Sequence, residues 1–292
     1  MPFTITPRTC YLARVLSTPM TSTLTRKVRG RLTSLAGIAA TVGIWWLLAA
    51  TLFASVGARP DGSGGAIPTP PAVVEQLIED GLTFYLRNGG VTVLEAALGF
   101  LWGNAIALLL AAVALTLPKL DSLASQMAII TYLIPIVAIG PIVRLIVGAP
   151  GPGEPAGAAV VLAAMSVLFT TFIGAVTGVK STDKRILDVV YAYGGNSMDR
   201  LFKVQLLSAL PSVFAAFKIA APAAFLGAIL GEYVGGTDVG FGPAMVNAQQ
   251  SLEVARVWGV ALVSGLLAGA GYWIFGLLGK LATPWANDQV VK

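Results

Sequence analysis

The sequence runs to 292 residues, 56% of them hydrophobic and only 11% charged, against roughly 25% charged in soluble globular chains. Histidine is absent and Cys10 is the single cysteine, which removes the commonest general base and leaves neither a disulfide framework nor a multi-thiolate metal site. The net charge of +5 does not point to nucleic acid, because the basic residues surround apolar runs and no aromatic residues are interleaved with them on one face.

Residues 1–34 carry Arg8, Arg14, Arg26, Lys27, Arg29 and Arg31 without one acid, and residues 35–58 then run uncharged. A secretory signal has an apolar run of about 7–15 residues. This run is longer and further apolar stretches follow, so an uncleaved first span is expected. Apolar stretches near 35–58, 91–117, 122–147, 156–178, 212–235 and 257–281 are each long enough for a membrane helix of about 20 residues. They predict an all-α membrane protein with six transmembrane helices in one domain over 35–285, a basic N-terminal segment 1–34 and a short tail 286–292. No fixed-period or inverted repeat is visible, which argues against a self-contained carrier.

Six spans put both termini on one side. If that side is cytoplasmic, Arg8 through Arg31, Lys119, Lys180, Lys184, Arg185, Arg200, Lys203, Lys280 and Lys292 all lie inside. The outer segments 58–90, 148–155 and 236–256 then hold seven acids, among them Asp61, Asp80 and Asp238, but only Arg59, Arg87 and Arg256 as bases. The positive-inside rule gives N-in, C-in. In the first outer segment Ile67-Pro68-Thr69-Pro70-Pro71 is stiff, and 72–79 reads as a short interfacial helix. Glycines four apart at Gly99/Gly103, Gly231/Gly235 and Gly265/Gly269 are spaced for close helix packing.

The inner loop 180–211 is too long for a simple connection and too apolar for a solvated linker. Ser181 or Thr182 is placed to cap a short helix over 183–193, Gly194-Gly195 breaks it, and Asn196 or Ser197 is placed to cap a second over 198–207. Ile186, Leu187, Val190, Tyr193, Leu201, Phe202, Val204 and Leu206 exceed what water-facing residues need, and a partner surface would explain them.

This loop resembles the cytoplasmic signature of ABC importer permeases, which reads Glu-Ala-Ala, three residues, Gly, nine residues, Ile-x-Leu-Pro. Asp188-Val189-Val190 stands at Glu-Ala-Ala, Gly194 at the glycine and Val204-Gln205-Leu206-Leu207 at Ile-x-Leu-Pro, followed by Leu210-Pro211. Asp replaces Glu, and Leu207 stands where the first proline belongs. Further stretches in the same order are similar to the nitrate/sulfonate/taurine branch: Ile67-Pro68-Thr69-Pro70, Leu98-Gly99-Phe100, Ile134 through Pro141, Gly231-Glu232-Tyr233-Val234-Gly235-Gly236 with Gly240-Phe241-Gly242, and Thr283-Pro284-Trp285.

The resemblance implies a type I ABC importer permease fold in the cytoplasmic membrane of a prokaryote, passing the bilayer several times and not itself an enzyme. It implies as partners a second permease subunit (identical or paralogous), two ATPase subunits that bind ATP and Mg, and an external substrate-binding protein. The chain has no G-x-x-x-x-G-K-[ST] phosphate loop, so hydrolysis is assigned to the ATPases. Asp188, Tyr193, Gly194, Gly195, Leu206 and Pro211 fall in the ATPase-docking loop. The solute is left open among nitrate-, sulfonate- or taurine-like anions, carboxylates, aromatic acids and vitamin precursors. Two alternatives stand beside this reading. The inner loop argues against a secondary transporter independent of an ATPase, and only composition supports a non-transporting assembly protein.

Within the spans, Glu95 stands where that branch carries Arg, and Arg144 where it is apolar, so the two are candidates for an exchanged intramembrane ion pair or for separate snorkelling to the interface. Asn104, Tyr132 and Tyr233 are candidates to line the translocation path, with interhelical or interfacial hydrogen bonding as the alternative. Glu232, between Gly231 and Gly235, is a candidate to cap a helix end or gate the outer mouth. No metal site is expected.

Overall fold

The structure, a computed structural model, describes residues 21–57, 65–151 and 154–287. The expectations for Arg8, Cys10, Arg14, Arg59, Asp61 and the tail from residue 288 lie outside these residues, as do the side chains of Arg26, Lys27, Arg29 and Arg31. Every regular element among the described residues is helical: α1 (Thr21–Ala50), α2 (Pro70–Thr116), α3 (Asp121–Leu133), α4 (Ile136–Val147), α5 (Gly157–Lys180), α6 (Lys184–Ala192), α7 (Ser197–Arg200), α8 (Leu206–Gly235), α9 (Phe241–Gln250), α10 (Val254–Ala282) and α11 (Pro284–Asn287). Short 3-10 and π turns add Pro118–Leu120 and Leu201–Gln205.

Five helices are long and apolar enough to cross a membrane: α1 from Leu32, α2, α5, α7 running into α8, and α10. The span expected over 122–147 is instead two helices, α3 and α4, bent by 101°. Pro135 has no N–H to continue α3 and drives Ile134 to an extended ψ of 124°, so the sixth span exists only if the bent pair is counted as one. At the other end of the chain's apolar pattern, α2 is divided by Gly81 at φ 71°, ψ 161°, a backbone that favours glycine. The expected short helix is the part before Gly81, and the helix that carries the span resumes directly after it.

The described residues up to Ala72 and those from Val73 on form two units. In the first, Trp45 Nε1 donates to Pro68 O at 3.1 Å, which holds the proline-rich segment to the end of α1. In the second, α2, α5 and α8 meet at their small residues. A Cβ on Gly99 would lie 2.7 Å from Val160 O, one on Gly227 2.8 Å from Ala163 Cα, and one on Gly231 2.8 Å from Ala159 N, so the helix backbones touch only because no side chain stands between them. Gly265 and Gly269 differ: nothing lies within 4 Å of a Cβ on either. Around this seam Tyr85, Val167, Phe225, Phe241 and Val260 form the main apolar core.

The inner loop departs from the expected capping at its first helix and follows it at its second. Asp183 caps α6, accepting from Arg185 N at 2.9 Å, while the hydroxyls of Ser181 and Thr182 donate back to Gly178 O and Val179 O and close α5. Asn196 caps α7 in a reciprocal box with Asp199: Asp199 N donates to Asn196 Oδ1 at 2.8 Å and Asn196 N to Asp199 Oδ2 at 3.1 Å. Beyond it no second short helix ends at residue 207. The π turn carries α7 straight into α8, so Ser197–Gly235 is one continuous rod with Pro211 inside it.

Candidate functional site

On the side that the charge pattern assigns to the exterior, the starts of α5 and α9, the end of α8 and the interior of α2 converge on two buried carboxyl groups. Glu95 of α2 and Glu232 of α8 are 0% and 1% exposed. Glu95 Oε1 accepts from Ala156 N, at the start of α5, at 2.6 Å. Glu232 Oε1 accepts from Thr92 Oγ1 and Oε2 from Gly242 N, in the first turn of α9, both at 2.6 Å. Thr92 Oγ1 in turn accepts from Phe241 N at 3.0 Å, and Asn88 Oδ1 from Gly240 N at 3.1 Å. Glu95 Oε2 is buried with no hydrogen-bond partner.

The α8–α9 loop closes over Glu232 because of its glycines. Gly240 has φ 141°, and a Cβ there would stand 2.6 Å from Glu232 Cδ; one on Gly242 would stand 2.6 Å from Glu232 Cβ. A carboxylate at the N-terminus of α9 also meets the positive end of its peptide dipoles. Glu232 therefore caps a helix start, contributed from the end of another helix.

Glu95 and Arg144 do not pair. Arg144 Nη1 donates to Val234 O at 3.2 Å, on the exposed surface of α4, and the ion pairs among the described residues are Lys180–Asp121, Lys203–Asp199, Arg256–Asp80 and Arg256–Glu253. The bend at Pro135 gives α4 its own direction, while Glu95 turns inward to Ala156.

An outer anchor that sequence reasoning did not single out is Asp80. Its side chain, 1% exposed, accepts from Arg256 Nε at 2.7 Å, from Gln76 Nε2 at 2.9 Å and from Tyr85 Oη at 2.8 Å. This joins the helix before Gly81 to the start of α10. The available signal was the excess of acid over base in the outer segments, which leaves each outer arginine several acids to pair with. Two adjoining cavities of about 470 and 550 Å³ open beside this network and share Arg87, Asp238 and Val239.

The path candidates separate by exposure. Asn104 is buried and both ends of its amide are used, donating to Phe100 O at 2.6 Å and accepting from Thr171 Oγ1 at 2.5 Å; it joins α2 to α5. Tyr132 is exposed and stacks on Phe169 with centroids 4.9 Å apart. Tyr233 is exposed and donates to Gln249 Oε1 at 2.8 Å.

On the inner side, Tyr193 is 89% exposed and Tyr191 73%, and Ile186, Val189, Met198, Phe202, Leu206 and Leu207 are exposed with them. Asp188 is exposed as well and Pro211 half-buried. Gly194 has φ 79° with nothing within 4 Å of a Cβ, whereas a Cβ on Gly195 would stand 2.8 Å from Val190 O. Backbone conformation accounts for the first glycine and close approach for the second. Among the described residues no group of three or more His, Cys, Asp or Glu is placed to hold a metal.

Residues 96–287 match the family of binding-protein-dependent transport system inner membrane components. The chain is similar to the formylaminopyrimidine transport permease protein ThiX of Halalkalibacterium halodurans, 22% identical over 237 residues, covering 80% of this chain and 91% of the relative. It is also similar to the putative aliphatic sulfonates transport permease protein SsuC of Bacillus subtilis, 24% identical over 223 residues, covering 75% and 74%. In fold it matches a chain of the inward-facing MetNI methionine ABC transporter with a TM-score of 0.58 and 18% identity, over 69% of this chain and 97% of that one.

Proposed function

This chain belongs to the binding-protein-dependent transport system inner membrane components, the permeases of ABC transporters, and from that premise we propose that it forms half of the path by which an external binding protein's small solute enters the cell. A second permease subunit completes the path. Two cytoplasmic ATPases, holding ATP and Mg, drive it, and the chain itself catalyses no reaction. Relatives named for formylaminopyrimidine and for aliphatic sulfonates fit a small polar or anionic solute.

The observation that carries this reading is the exposed apolar surface around Gly194 on α6, α7 and the start of α8. A secondary transporter has no use for it, whereas an ATPase docked there would cover it. The loop is also mechanically suited to transmit motion. Ser197–Gly235 is one rod of 39 residues, about 58 Å long at 1.5 Å per residue. Its inner end lies in the docking surface and its outer end carries Glu232. A push on α7 therefore reaches the outer clamp along one helical element with no loop in between, which suits rigid-body rocking between inward- and outward-open states.

Gly194 tests the reading. Gly194→Asn accepts a positive φ, which a β-branched residue does not, and Gly194→Val therefore distorts the corner. Both variants should insert in the membrane. Gly194→Val should lose ATPase copurification or uncouple hydrolysis from uptake, and Gly194→Asn should retain most of both. Near-normal copurification and stimulated hydrolysis in Gly194→Val would defeat the docking role.

A further inference from the structure

The rod Ser197–Gly235 stops at Gly236, whose φ of 67° and ψ of 40° are left-handed. The last carbonyls of a helix have no partner within it. One of them, Val234 O, accepts from Arg144 Nη1 of α4 at 3.2 Å, and a guanidinium placed there meets the negative end of the peptide dipoles. The fit needs the glycine twice over. Its left-handed backbone ends the helix, and a Cβ on Gly236 would stand 2.6 Å from Arg144 Cζ. One turn before Arg144 on the same face of α4, a Cβ on Gly140 would stand 3.3 Å from Val234 Cγ2. α4 therefore meets the outer end of the rod at two positions. Beside them a cavity of about 680 Å³ is lined by Pro141, Arg144, Leu145, Gly148, Ala149 and Val234.

α4 itself is built to turn as a unit. It starts at the Pro135 bend of 101° and stops at Gly148, with φ 87° and ψ 176°, so the helical ladder is interrupted at both ends and the dihedral changes of a hinge can be absorbed there. Its contact with α5 is apolar: Val143, with Ile136 and Ile139, packs against Ala158 and Leu162. Such contact is non-directional and lets helices slide. Arg144 is the one charged side chain between Asp121 and Glu154, and its bond to the end of α8 is directional. Whether α4 stays with α5 or travels with α8 is decided at the guanidinium.

We propose that Arg144 is a positioning residue of the transport cycle: by holding the outer end of the rod it makes α4 follow the rod, so that a push at the docking loop reaches the bent α3–α4 pair as well as α9. The proposal rests on the permease reading and adds a second outlet for the motion. Glu232 provides the first, to α2 and α9. In this role Arg144 acts through α4.

The probe is methyl methanethiosulfonate, uncharged so that the arginine neither attracts nor repels it, applied to Ala149→Cys in a Cys10→Ser background within the complete purified transporter. Ala149 is exposed and lines the cavity. Its modification rate is measured without nucleotide and after trapping with ATP and vanadate, and the two rates should differ severalfold, as a shift between two states requires. In Arg144→Met that ratio should collapse to unity; in Arg144→Lys, which keeps a charged donor, most of it should survive. Gly236→Ala, which leaves the arginine in the chain and pushes it off the helix end, should flatten the ratio as Arg144→Met does. Ser251→Cys, just after α9, should keep its own ratio in Arg144→Met, which a general loss of stability would not allow. Equal rates at residue 149 in the two states with Arg144 in place, a ratio indifferent to Arg144→Met, or a collapse at residue 251 together with residue 149 overturns the proposal and leaves the permease reading standing. If the complex with Arg144 in place carries no ATPase, the permease reading fails and this proposal with it.

Discussion

Glu232→Leu tests the outer clamp most directly, because leucine fills a similar space and removes only the acceptors. Two buried donors lose their partner: Thr92 Oγ1 and Gly242 N, each 2.6 Å from the carboxylate. An orphaned buried donor costs about 1–3 kcal/mol. Thr92 has a fallback, since its hydroxyl also lies 3.2 Å from Asn88 O, so its share is about 1 kcal/mol. Gly242 N is fixed in the first turn of α9 and has none, so its share is roughly 1–3 kcal/mol. The sum is roughly 2–4 kcal/mol, or a melting temperature lower by roughly 4–16 °C for a chain of this size. Glu232→Gln should lose less than Glu232→Leu, because the amide oxygen still accepts one donor. The assay is thermal unfolding of the purified transporter in detergent. A Glu232→Leu protein that melts within about 1 °C of wild type, or a Glu232→Gln protein less stable than it, would refute the idea that this carboxylate holds α9.

Glu95→Gln and Arg144→Met should change the melting temperature independently, since the two side chains bond to different partners; coupling in the double mutant above about 0.5 kcal/mol would restore the ion pair. In a Cys10→Ser background, Ser251→Cys should react with an impermeant thiol reagent on intact cells and Tyr191→Cys only after permeabilisation, and the reverse pattern would invert the topology.

The span pattern, the helix before Gly81 and the Gly194-Gly195 corner were legible because each depends on local chemistry: hydropathy over about 20 residues, a proline-rich start, a pair of glycines. The bend between α3 and α4 was present in the sequence as Pro135, yet hydropathy does not register a proline when both flanks are apolar, and 122–147 read as one span. The cap of α6 was misassigned for a similar local reason. Ser181, Thr182 and Asp183 all favour an N-cap, and only the three-dimensional path decides that the hydroxyls turn back to α5 while the carboxylate turns forward to α6.

The residues at membrane depth were read least well, because sequence gives the sign of a charge but not the direction in which its helix face points. Pairing Glu95 with Arg144 satisfied electrostatics on paper. The structure instead gives Glu95 the backbone N–H of Ala156 and leaves its other oxygen buried with no hydrogen-bond partner. Lys218 illustrates the opposite failure. One lysine in the apolar run 212–235 leaves the span's hydropathy intact and so attracts no notice, although each charge within a span calls for a partner. Counting partners across the whole bundle, rather than scoring each helix for insertion, brings both into view: Glu95 takes a backbone N–H at the start of α5, and Lys218 takes the face of Tyr272 on α10.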